Sequence, residues 1–222
     1  MSESPISVDV ARALYESSGG AHDFDHVRRV VALAEQIAVA EGADLAIVRT
    51  AALLHDVGLA ASGGRGDHHL RGADLARSLL SGEPGGFVEA VAHAIAAHRF
   101  RAEPEPRTLE AQVLSDADKL DAIGAIGVAR VFAYAGAQDT PLWRRPWQEI
   151  QMQANRLDPG SPEGRRLYTP VHEFVYKLDD IPRRLYTPTA RTLAVRRHAF
   201  MQAFFTQLDN EMAALDDELE QV

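Results

Sequence analysis

The residues best placed for chemistry are the adjacent pair His55 and Asp56, set in the apolar string AALLHDVG at 51–58. Neighbours on a helix diverge by about 100°, so both side chains reach one point only if it lies between their directions. A cation there takes an imidazole nitrogen from one and a carboxylate oxygen from the other. Leu53, Leu54 and Val57 flank the pair, and burying an ionised Asp is costly unless a cation or strong donors compensate it. In isolation the pair reads more readily as a backbone cap beside a satisfied core histidine. Two further strings shift that reading: HDFDHVRRV at 22–30 supplies His26, and LSDADKLDAIGAIG at 114–127 supplies Asp118 where a helix resumes. Such ligands must converge from separate helices, as they do in helical bundles. The chain has no cysteine, which excludes disulfides, thiolate-ligated zinc and a thiol nucleophile. Any metal must therefore use His, Asp or Glu.

The elements that would position these residues are helical. Val27, Val30, Val31, Ala34, Ile37 and Ala38 recur at three- and four-residue steps between Asp25 and Glu41. Asp44 is placed to cap a second helix running to about Gly58, and AASGGRGD at 60–67 reads as a loop. Further helices are expected over His69–Leu80, Phe87–His98, from Thr108 onward, over Leu120–Ala135 and over 189–222. No segment sustains period-two alternation, so the expected fold is all-α. Of eleven prolines, seven fall between Pro141 and Pro188, which breaks that stretch into short pieces. The pentapeptide RLYTP occurs at 166–170 and again at 184–188, marking two similar helix entries. The expected organisation is one domain over 1–222. Its core spans about 20–135, and 136–188 forms an irregular proline-rich elaboration, a lid or an oligomer contact.

The chain of 222 residues carries 23 Lys+Arg against 32 Asp+Glu, a formal net charge of −9. That balance argues against a nucleic-acid polymer as partner but leaves room for a local cationic pocket. No stretch of eighteen apolar residues and no signal-like N-terminus is present. A cytoplasmic protein with no membrane partner is the expectation, with a homodimer possible.

The order His26, His55-Asp56, Asp118 resembles the HD-domain superfamily of metal-dependent phosphohydrolases. The phrases HDFDHVRRV, ALLHDVG, AIAAHRF, LSDADKLDAIGAIGVARVFA and RHAFMQAFF resemble one bacterial subgroup in order and spacing. The resemblance implies an all-α HD bundle in which His26, His55, Asp56 and Asp118 hold one divalent cation. It also implies a small-molecule nucleotide substrate, hydrolysed from triphosphate to monophosphate and pyrophosphate. Two His and two Asp suit Mn, Co, Zn, Fe or Mg, with Mn favoured. By the same resemblance His98 reaches the site, and two-metal members suggest a second cation through His69 and His98. The alternatives are a 5′-nucleotide monophosphatase, a dinuclear-iron oxygenase on the same scaffold, and a non-catalytic nucleotide sensor. Asp56, Asp118, Asp121 and His98 are the candidate catalytic residues, Asp121 as an orienter of the attacking water. His22, Arg99, Lys119, Lys177 and Arg197 are candidates for substrate binding, with Arg191 and Arg196 as further cations suited to phosphate.

Overall fold

Apolar residues on one face, with a polar residue at each helix entry, account for the first elements. The computed structural model describes residues 4–16, 24–62, 66–99 and 103–219. Helix α1 (Val8–Glu16) buries Ala11 and Tyr15, and α2 (Phe24–Glu41) buries Val27, Val30, Leu33, Ala34, Ile37 and Ala38. Each large aliphatic residue so buried contributes roughly 1.5–3 kcal/mol relative to exposure. Gly42 ends α2 at φ +77°, where its N–H and that of Ala43 both donate to the Ala38 carbonyl. The Asp44 carboxylate then caps α3 (Leu45–Leu54) by accepting from the Ala46 and Ile47 N–H groups.

The expected run of helix through Gly58 does not occur. The chain turns at His55 and Asp56 and resumes as α4 (Val57–Ser62), which occupies the start of the stretch read as a loop. Next come α5 (His68–Leu79), α6 (Gly85–Ala97) and α7 (Leu109–Asp121). Asp118 thus lies inside the last turn of α7 rather than at a helix start. Helix α2 packs on α3 and α7, while α6 packs on α3, α5 and α7. Helix α5 also lies against α4, at a contact only glycine permits: a Cβ on Gly58 would meet the His68 carbonyl oxygen at 2.0 Å and the Gly72 nitrogen at 2.6 Å.

The chain divides into two compact units. The first comprises 1–121 together with the returning segment Leu185–Arg191. Asp116 holds that segment, accepting from the Tyr186 and Thr187 N–H groups and from the Thr187 hydroxyl. The second unit comprises 122–184 and 192–222. It contains α8 (Gly124–Ala137), α9 (Trp147–Met152), α10 (Pro162–Leu167), α11 (Pro170–Glu173), a π-helical turn at Phe174–Leu178 and a 3₁₀ turn at Ile181–Arg184. Helix α12 (Pro188–Leu219) starts in the first unit and supplies the rest of its length to the second. There Phe174 and Phe205 stack at 4.4 Å, and buried Asp209 accepts from the Trp143 indole and the Trp147 N–H. Both RLYTP copies enter helices through threonine: Thr169 caps α11 in a box with His172, and Thr187 accepts from Ala190 N at the start of α12. Every regular element among the described residues is helical. No single helix among them is long and apolar enough to cross a membrane.

Candidate metal centre

The first unit brings six histidine and aspartate side chains to one place. His26 comes from the first turn of α2, His55 and Asp56 from the α3–α4 turn, and His68 from the start of α5. His98 follows α6, and Asp118 closes α7. At the 55–56 turn the two adjacent side chains reach one point, with His55 Nε2 3.4 Å from Asp56 Oδ2. The buried Tyr15 hydroxyl bridges the break, donating to the Leu53 carbonyl and accepting from the Asp56 N–H, each at 3.2 Å.

Two sets of potential ligand atoms form: His26, His55 and Asp118 in one, and Asp56, His68 and His98 in the other. Asp56 faces both. Its Oδ2 lies 3.4 Å from His55 Nε2 and 3.7 Å from His26 Nε2. Its Oδ1 lies 3.6 Å from His68 Nε2 and 3.7 Å from His98 Nε2. His26 Nε2 is 3.5 Å from Asp118 Oδ1 and 3.3 Å from His55 Nε2. Donors about 2.1 Å from a common cation stand ~3.0–3.4 Å apart in tetrahedral or octahedral arrangements, so these separations are close to coordination spacing. Ring orientation agrees: the Nδ1 atoms of His55 and His98 donate to the Ala52 and Ile95 carbonyls, at 2.8 and 2.6 Å, which turns each Nε2 inward.

The electrostatics fit a pocket for positive charge. Burial disfavours ionised Asp56, yet His55 and His98 hold it well below the usual carboxylate range. Burial also opposes ionisation of Asp118, but the hydrogen bond with His26 wins and brings its pKa to about 2. For the His26 imidazole, burial lowers the pKa while Asp118 and Asp121 outweigh it, raising the value to about 9. Ionised carboxylates facing inward-turned imidazoles are the donor set of a divalent cation.

The other candidates are placed as follows. His68, rather than His69, faces Asp56; the His69 Nε2 donates instead to the Glu103 carbonyl at 3.2 Å. A helix beginning at His68, with Gly58 against that residue's backbone, decides which of the adjacent imidazoles points inward. Asp121 is buried, and both its oxygens are engaged by His26 Nδ1 and by Arg29, an ion pair not anticipated although Arg29 lies one turn from His26. The Lys119 ammonium donates to the Ser115 carbonyl and hydroxyl and lies over the Tyr186 ring. Arg99 donates to the Gly66 carbonyl. His22 lies outside the described residues. Lys177 and Arg197 belong to the second unit, where Lys177 pairs with Glu173 at 2.9 Å and the Arg197 stem lies over Gly124.

Residues 23–123, which contain all six converging side chains, match the HD domain family. YpgQ of Bacillus subtilis is 34% identical over 216 residues, covering 91% of this chain and 89% of that protein. A YpgQ crystal structure superposes with a TM-score of 0.68 at 32% identity, covering 92% and 94% of the two chains. Another, a complex with ADP, gives 0.67 at 31% identity and the same coverages. An HD-superfamily hydrolase from Bacillus thuringiensis gives 0.68 at 28% identity, covering 93% and 95%. Ribonuclease Y of Chloroflexus aurantiacus is 38% identical over 112 residues, half of this chain but only 20% of that protein. With likeness to YpgQ running nearly end to end and the ligand cluster inside the matched region, this chain belongs to the HD-domain superfamily and is a metal-dependent phosphohydrolase.

Proposed function

We propose that the chain hydrolyses nucleotides, converting a nucleoside triphosphate to the monophosphate and pyrophosphate. The observation that carries the hydrolytic reading is the position of Asp56, with one carboxylate oxygen toward His26 and His55 and the other toward His68 and His98. The nucleotide reading is supported by end-to-end similarity to YpgQ, one of whose structures is a complex with ADP. In the reaction, water oxygen bonds to the α-phosphorus and gives up a proton to solvent, the bond from that phosphorus to the α,β-bridging oxygen breaks, and pyrophosphate leaves with the bonding electron pair.

His26, His55, Asp56 and Asp118 would hold a first cation, with Mn²⁺ favoured, and Asp56, His68 and His98 would hold a second. A divalent cation in such a site supplies Lewis acidity toward phosphoryl oxygens and water. The chain's part is positioning, the main requirement of phosphoryl transfer. Asp56 and Asp118 offset the cationic charge, and the carbonyls of Ala52 and Ile95 keep His55 and His98 in their ligand tautomers. Asp121 holds His26 in the same way.

The test is a nucleotide panel assayed with Mn²⁺, Co²⁺, Mg²⁺ and no added metal, scoring pyrophosphate against orthophosphate. Pyrophosphate plus monophosphate is the expected outcome. Orthophosphate released from monophosphates alone would instead support the 5′-nucleotidase alternative, and binding without turnover the sensor. Asp56→Ala should abolish turnover with the far-UV spectrum retained. The second ligand set also favours a dinuclear-iron oxygenase as a separate reading, identified by two irons per chain and a requirement for O₂.

A further inference from the structure

Three of the site's histidines have their second ring nitrogen held in different ways. For His55 and His98, the Nδ1–H goes to a backbone carbonyl three residues earlier in the chain. Those acceptors are neutral and are fixed by local helical structure. For His26 the acceptor is the Asp121 carboxylate, brought from α7 to α2 at 2.8 Å. That carboxylate is only 1% exposed. A buried carboxylate without compensation is costly and free to turn toward whatever donor is nearest. The compensation here is Arg29, whose Nε donates to Oδ1 at 2.7 Å and whose NH2 donates to Oδ2 at 3.1 Å. Two donors along one carboxylate edge fix its plane, which a single point charge does not. His26 and Arg29 lie three residues apart on α2 and so share a face. The same helix therefore carries both the ligand and the clamp on its orienting group.

We infer that Arg29 is a positioning residue of the metal centre: by gripping both oxygens of Asp121, it fixes the acceptor that directs His26 Nε2 toward Asp56 and Asp118. Arg29 acts through Asp121 and not on the reacting atoms. The inference rests on the reading of His26 as a cation ligand. Partners that orient a ligating histidine typically affect metal affinity by about 10–100-fold, and the fork geometry separates the role from charge alone.

The test uses the full chain and Co²⁺ alone, with binding followed by the visible d–d absorption of the bound ion and by titration calorimetry. Arg29→Gln is expected to weaken Co²⁺ about 10–100-fold and to change the band shape. Arg29→Lys restores the charge without the fork, so its affinity should fall between the two while its band shape stays altered. Wild-type affinity and spectrum in Arg29→Gln would overturn the inference. If Arg29→Gln does not fold, as judged by far-UV circular dichroism, Arg29→Lys decides: an unchanged affinity and spectrum there overturns it too. His26→Gln is measured in parallel. Wild-type Co²⁺ binding in that variant would instead refute His26 as a ligand, a failure distinct from a null result at Arg29 alone.

Discussion

Asp56 has two oxygens, and each faces a different pair of imidazoles, so the side chain is shared where its neighbours are not. His68 and His69 separate the two halves. His68→Ala is expected to lower bound metal from two equivalents to one, while His69→Ala, whose imidazole is turned to the Glu103 carbonyl, should leave two; metal analysis after gel filtration checks both. Tyr15 acts on the backbone of the same pair. Removing its hydroxyl by Tyr15→Phe leaves the Leu53 carbonyl and the Asp56 N–H without this buried partner, at a cost of about 1–3 kcal/mol. A denaturant titration would register this as a lower midpoint with unchanged slope. At this scale the sequence was informative where side-chain type is itself the requirement. His26, His55, Asp56 and Asp118 are metal-ligand types in a recognisable order; His26, His55 and Asp118 form one ligand set, and Asp56 of the other set reaches both histidines of the first. Arg29 and Tyr15 were not legible, because their importance comes from partners 92 and 41 residues away along the chain. That His68 and not His69 faces Asp56 has a related cause: adjacent residues on a helix diverge by about 100°, and only the packing of the helix selects which one points inward.

That packing is a matter of elements. Helix α4 approaches α5 so closely that Gly58 leaves no room for a methyl group against the backbone at His68 and Gly72. Gly58→Ala must therefore push α5 outward, and overpacking of this kind costs about 1–3 kcal/mol or more. It should also cost the second metal equivalent while sparing the first, since only His68 rides on α5. Thermal melting with metal stoichiometry on the same sample checks both effects. The helix break at His55 was invisible to periodicity, because apolar residues continue on both sides of it as Leu53, Leu54 and Val57. What interrupts the helix is tertiary: the Tyr15 hydroxyl takes the N–H of Asp56. The Asp44 cap, by contrast, was readable, because its chemistry is local to three residues.

At the scale of the whole molecule, both tryptophans, Trp143 and Trp147, lie in the second unit, and the ligand cluster lies in the first. The two units therefore have separate probes. Burial of the His172 imidazole within the second unit, with a smaller contribution from the charges of Arg144 and Arg145, brings its pKa down to about 4. An unfolded histidine titrates near 6.5, so the folded unit excludes a proton that the unfolded chain accepts. The associated stability is complete above about pH 6.5 and is lost as pH falls toward 4. The tryptophan-detected melting midpoint should fall across that window, with a shallower fall in His172→Gln. The return of Leu185–Arg191 to the first unit was not legible from the sequence, because it depends on Asp116, about 70 residues earlier, accepting the N–H groups of Tyr186 and Thr187.

That return makes the hydrolase unit discontinuous along the gene. A polypeptide cut to residues 23–123, the bounds of the family match, would keep all six converging histidine and aspartate residues yet lose two supports. Tyr15 would be absent from the break at Asp56, and the donors of Tyr186 and Thr187 would be absent from Asp116. Excision at those bounds would thus strip the Asp116 carboxylate of its Tyr186 and Thr187 donors. A synthetic peptide spanning 184–191, supplied in trans, is the natural complement for such a fragment.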